Sequence, residues 1–176
     1  MGSSTAAGPH VERAVGMAAV GPSVLARAGL TRVDYADYFA IGHVGGATVT
    51  PERWSRAMFG DLPNVGERFI WQGLLQLRLA PGRSRATVAG WRIGARGEDW
   101  IRLEADSWAL AANLIVRDDG STVSLATLIR YDRRFAAAAW GVLSAVHRRL
   151  TPGILRDAAI AVTGSSADRP RRRSAP

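Results

Sequence analysis

A lone histidine followed by two arginines stands near the C-terminal end, in "WGVLSAVHRRL" at residues 140–150. Imidazole suits proton transfer near neutral pH, and adjacent arginines suit phosphate contact. Three chemistries are therefore open: nucleic-acid contact, catalysis or metal binding, and one wall of a buried pocket. At about 100° per residue on a helix, Phe135, Ala139, Leu143, Val146 and Leu150 fall on one apolar stripe. His147 lies four residues after Leu143 and seven after Trp140, on the flank of that stripe beside the indole. Arg148 and Arg149 are expected on the solvent faces.

A second group of reactive side chains lies in "DWIRLEADSW". On a strand, Trp100, Arg102, Glu104, Asp106 and Trp108 share one face and Ile101, Leu103 and Ala105 the other. The polar face is either a solvated exterior with cross-strand charge pairs or a polar cavity in which burial raises a carboxyl for acid–base work. In "STVSLATLIRY", Val123, Leu125, Thr127, Ile129 and Tyr131 share a face, so Thr127 and Tyr131 offer hydroxyls to an apolar pocket if that face is internal. Asn113, in "ALAANLIV", is a candidate buried amide. Of the six tryptophans, Trp91 and Trp140 are the best candidates for a pocket wall, because an aromatic wall with few polar groups suits small hydrophobic ligands. The weaker candidates for proton transfer are His147, Tyr131 and Asp106.

Metal chemistry finds little support. Cysteine is absent, which removes disulfides and thiolate sites together. His10 and His43 show no ligand spacing to each other, and a metal needs several converging donors. No metal and no cofactor is expected.

These groups need elements to position them. "RVDYADYFAIGHV" (residues 32–44) is rich in aromatic and β-branched residues and predicts a strand. "TPERWSRAMFGD" follows, with Thr50 as N-cap, Pro51 at the first helical position and Glu52 in the first turn. Asn64 and Glu67 open a second apolar helix, "VGERFIWQGLLQLRL", ending at Pro81 and Gly82. A β-meander comes next: "RATVAGWRI", a turn at Gly94–Gly97, a long stretch broken near Asp106 and Ser107, an Asp-Gly turn, and "TVSLATLIRY". The last element is an Ala-rich helix with Asp132 as N-cap and Pro152 kinking or ending it. Strand runs followed by a helix predict α+β.

At 176 residues and 47% hydrophobic, the chain is expected to form one domain over residues 29–163. Residues 1–28 are expected to be a weakly ordered arm with a short helix around Val11–Val20, and 164–176 a disordered arginine-rich tail. The longest apolar runs fall short of the roughly 20 residues that cross a bilayer, so no transmembrane segment is expected. The N-terminus reads neither as a signal peptide nor, with Ala6 where Ser or Thr is wanted, as a myristoylation site, so a cytoplasmic protein is expected. All 23 basic residues are arginine, and four of them, Arg169, Arg171, Arg172 and Arg173, make up half of the net charge of +8. That tail would add nonspecific phosphate affinity, but no nucleic-acid-binding motif accompanies it and no specific nucleic-acid partner is expected.

The element order resembles the helix-grip fold of the START/SRPBCC superfamily of lipid-transfer domains and polyketide cyclase-like proteins, in an uncharacterised bacterial branch. The residues that carry the resemblance are "DYADYFAI" as first strand, "STVSLATLIRY" as last strand and "WGVLSAVHRRLTPGILRDA" as gripping helix, within residues 33–159. It implies a curved antiparallel sheet wrapped around a long C-terminal helix, with two short helices after the first strand and a hydrophobic cavity between sheet and helix. The expected function is binding of a hydrophobic or amphipathic small molecule, or a lipid. The expected contacts are Trp91, Asn113, Thr127, Tyr131, Trp140, Leu143 and His147. A cyclase-, dehydratase- or hydrolase-type enzyme in the same cavity is the alternative, and weak nucleic-acid binding through the tail a third.

Overall fold

A computed structural model of the chain describes residues 10–42, 49–61 and 75–167. Its architecture is α+β: a curved, unclosed antiparallel sheet with a long C-terminal helix laid across one face, the helix-grip arrangement. The strands are β1 (Val11–Val15), β2 (Tyr35–Gly42), β3 (Thr87–Val88), β4 (Trp91–Arg96), β5 (Trp100–Asp106), β6 (Leu110–Asp118) and β7 (Thr122–Tyr131). The helices are α1 (Pro22–Leu25), α2 (Pro51–Phe59) and α3 (Arg134–Ala167). Spatial order in the sheet is β1-β2-β7-β6-β5-β4-β3.

Local chemistry explains most element boundaries. Thr50 accepts a hydrogen bond from Arg53 N–H, Pro51 opens α2, and Gly60 ends it in a positive-φ conformation. The Asp-Gly pair turns β6 into β7, with Asp119 Oδ1 accepting from the backbone of Ser121 and Thr122. Ser107 closes the β5–β6 turn by accepting from the N–H groups of Ala109 and Leu110.

Several expectations are corrected. Val11–Val15 is a strand, not part of a helix, and it extends the sheet by pairing antiparallel with β2. Its β-branched ends and an available sheet edge outweigh the helical preference of the alanines. Residues 75–80, the described end of the expected second helix, form neither helix nor strand, and Gln76 has a positive φ of 51°; the rest of that helix lies outside the described residues, as do His43 and the tail arginines. Backbone bonds from Arg78 to Asp106 and from Ala80 to Gly90 tie this stretch to the sheet, and Pro81 disfavours helix in the residue before it. α3 starts at Arg134, since the Asp132 carboxylate is taken by Arg130, and it runs through Pro152 to Ala167, beyond the expected tail boundary.

Both faces of the sheet are covered. The inner face packs Phe39, Leu103, Leu114 and Leu125 against α2 and α3. Trp54 of α2 is fully buried there and donates its indole N–H to Asp118 at 2.6 Å. The outer face is covered over β2, β7 and β6 by residues 20–33, most of which were expected to belong to a weakly ordered arm: Val24, Leu25, Leu30 and Val33 pack on Val20, Ala36, Ile115, Ala126 and Leu128. The continuous apolar character of β6 follows, because a strand buried on both faces cannot alternate.

Candidate functional site

The sheet register creates the site. Asp37 of β2 is the direct cross-strand neighbour of Thr127 on β7, and both project to the inner face. His147 of α3 lies over this pair, with Nε2 3.2 Å from Asp37 Oδ2 and 3.1 Å from Thr127 Oγ1. Asp37 is completely buried, whereas the His147 side chain is 23% exposed. Tyr35, two residues before Asp37 on the same face, donates its hydroxyl to Asp37 Oδ2 at 2.7 Å. Arg148 donates to Tyr35 Oη at 3.2 Å and to Ser144 Oγ at 2.9 Å. Burial, reinforced by Asp37, pushes the Tyr35 phenol well above its usual range. The tyrosine is therefore a neutral donor.

Beside this network lies a cavity of about 100 Å³. Its wall is mainly apolar: Phe59 from α2, Leu75 and Leu77 from the stretch before Pro81, Leu114 and Leu125 from the sheet, and Leu143 and Ile154 from α3. Trp91 and Trp140 contribute aromatic surface, and Thr127, His147 and Thr151 the polar groups. Val146 and Leu150 also line it while 47% and 52% exposed, which puts the rim of the cavity on α3.

Five of the seven expected contacts thus meet at one cavity: Trp91, Thr127, Trp140, Leu143 and His147. Asn113 does not. It faces the outer side, where its Oδ1 accepts from Gly29 N–H at 2.7 Å and pins the N-terminal segment. Tyr131 shares the inner face with Thr127 but lies at the strand end, outside the cavity lining. Its backbone is clamped by Asp34 and Arg32, and burial, then Asp34, pushes its phenol up to about 12. Asp106 is on the outer face, exposed and paired with Arg78. Arg102 and Glu104 pair with each other at 2.7 Å, and Arg92 also reaches Glu104. That face carries cross-strand charge pairs, with Asp106 exposed but Arg102 and Glu104 largely buried, and Glu104, Asp106 and Asn113 line an open pocket on the outer side.

The helix wheel needs correction as well. The buried line on α3 is Ala136, Trp140, Ser144, Thr151, Leu155, Ala158 and Val162, while Phe135, Ala139, Val146 and Leu150 are exposed. Arg148 is half-buried in the Tyr35 network rather than in solvent; Arg149 is exposed. Polar side chains turn inward here because Asp37 and Tyr35 offer them partners that no apolar residue could use. Thr151 satisfies its own hydroxyl by donating to His147 O at 2.8 Å.

Asp37 is the candidate site residue that motif spacing missed. One signal was present: in "YADYFAI" it interrupts an otherwise apolar inner face made by Tyr35, Phe39 and Ile41. The geometry also limits the chemistry. Asp37 and Thr127 meet the same imidazole nitrogen, so a nucleophilic triad, which uses the two nitrogens for separate partners, is not assembled. Asp37 Oδ2 and Thr127 Oγ1 both lie against Nε2, and Nδ1 makes no hydrogen bond among the described residues. No group of three potential metal ligands converges among the described residues, and no helix there is long and apolar enough to cross a membrane. No family model, curated protein or solved structure matches this chain.

Proposed function

We propose that this chain is a binding module of the START/SRPBCC type that holds a small hydrophobic or amphipathic molecule between the sheet and α3. The observation that carries this reading is the cavity itself, whose wall is apolar except for Thr127, His147 and Thr151. Such a wall takes the apolar body of a ligand by desolvation and orients it through a few polar groups. The exposed rim at Val146 and Leu150 provides an apolar entry. Native mass spectrometry of the purified protein, followed by solvent extraction, tests the reading. A retained small molecule is expected; absence of any ligand, together with no binding of apolar probes, overturns it.

The buried carboxylate behind His147 favours a second reading, a cyclase-, dehydratase- or hydrolase-type reaction in the same cavity. Asp37 would orient the ring and His147 Nδ1 would move the proton. Asp106 has no part in it, being on the opposite face. Chemical conversion of the extracted ligand by the wild-type protein but not by His147→Gln would establish this version. Recovery of unchanged ligand in both would remove it.

A further inference from the structure

We propose that the ligand of this cavity is an organic acid, its carboxyl group seated between Trp140 and His147. The inference rests on the binding reading above and goes on to name the chemical class.

Three observations converge on it. First, Trp140 lines the cavity, and its indole Nε1–H is buried with no hydrogen-bond partner among the described residues. An indole N–H is a donor only, so an acceptor oxygen is what completes it. An unfilled buried donor costs about 1–3 kcal/mol, which a bound oxygen recovers. Second, the Trp140 and His147 rings are neighbours, with centroids 5.5 Å apart. Asp37 and Thr127 occupy Nε2, leaving Nδ1 as the ring's remaining polar atom. Third, among the described residues one acidic side chain, Asp37, meets two basic ones, His147 directly and Arg148 through Tyr35. Arg148 itself donates to the hydroxyls of Tyr35 and Ser144. The other hydrogen-bonding groups facing His147, Thr127 of β7 and Thr151 of α3, are neutral. A second acidic group, brought by a ligand, evens that count.

An acid fits this arrangement in either protonation state. A carboxylic acid donates its proton to a bare Nδ1, and a carboxylate accepts from Nδ1–H of the imidazolium. The proton count is the same in both descriptions, and the second carboxyl oxygen accepts from Trp140. An alcohol meets the hydrogen-bond needs but brings no charge. In a wall of low polarity the charge-assisted pair is the stronger one.

Octanoate and 1-octanol, titrated calorimetrically into the full chain, separate the possibilities. Octanoate is expected to bind at least about tenfold more tightly, roughly 1.4 kcal/mol. Trp140→Phe keeps the ring and removes the N–H, and His147→Gln removes the second group; each is expected to weaken octanoate more than 1-octanol and so to lose most of the preference. Equal binding of octanoate and 1-octanol by wild type overturns the acid assignment and leaves the binding reading standing. A preference that survives in both variants overturns the seat between Trp140 and His147. Absence of binding by either compound removes both readings. The wild-type comparison needs no variant, so misfolding of a substituted protein does not shield the proposal.

Discussion

His147 on the C-terminal helix and Asp37 on the second strand meet at 3.2 Å, directly above the point where Asp37 and Thr127 face each other across the sheet. The contact fixes the height and rotation of α3 over the sheet, and it determines which imidazole nitrogen remains for a ligand. It also places polar groups where the core is otherwise apolar, which makes it sensitive to loss of either partner.

Asp37→Ala is expected to destabilise the protein by about 2–3 kcal/mol, because it strands the buried Tyr35 hydroxyl hydrogen and leaves His147 Nε2 to Thr127 alone. This is below the range for fully enclosed pairs because His147 is 23% exposed. In a double-mutant cycle with His147→Gln, a coupling of about 1 kcal/mol or more is expected from urea unfolding. Additive effects would show that the two residues act separately.

Asn113→Ala is expected to loosen the N-terminal segment without disturbing the cavity. Gly29 N–H would lose its acceptor, at a cost of about 1–3 kcal/mol. Gly29 also lies so close to Arg102 and Glu104 that a Cβ there would meet both side chains at under 3.0 Å, so the segment is tightly seated. Hydrogen exchange should rise over residues 16–33 and stay unchanged in α3. Equal acceleration in both would contradict the outward placement of Asn113.

Pro152→Ala is expected to stabilise. Proline in a helix interior costs about 3 kcal/mol relative to alanine, and here it deprives Arg148 O of its helical N–H partner. A gain of about 1–2 kcal/mol is expected after relaxation of the surroundings, raising Tm by about 2–4 °C per kcal/mol. A fall in Tm would mean that the interrupted helix is the geometry His147 needs.

The tyrosines give a pH prediction. Tyr35, through burial and then Asp37, and Tyr131, through burial and then Asp34, both hold their protons beyond the usual range, Tyr131 to about 12. A raised folded-state value stabilises the native protein fully below the unfolded value of about 10. That contribution is lost as the pH rises from there through 12. Tyrosinate absorbance from these two residues should therefore appear only with loss of the near-ultraviolet circular dichroism. Ionisation near pH 10 in an intact fold would contradict their burial.

What local chemistry governs was legible without coordinates. The N-cap Thr50 with Pro51, the Asp-Gly turn, the inner alternation of β7 and the long C-terminal helix all depend on residues adjacent in the chain. From these the α+β order followed, and five cavity residues with it. The strand at Val11–Val15 was not legible, because its partner edge comes from β2. Nor was the buried side of α3. An alanine-rich helix is only weakly amphipathic, so its apolar pattern cannot set its rotation. Tertiary contacts set it instead: Asp37 and Tyr35 draw His147, Arg148 and Ser144 inward, and Val146 and Leu150 turn out to the rim. The sequence by itself determined the α+β class and most of the elements from the second strand onward. Only the tertiary structure decided that Asp37 belongs to His147, because a buried polar group chooses its partner by distance in space, across two layers and most of the chain.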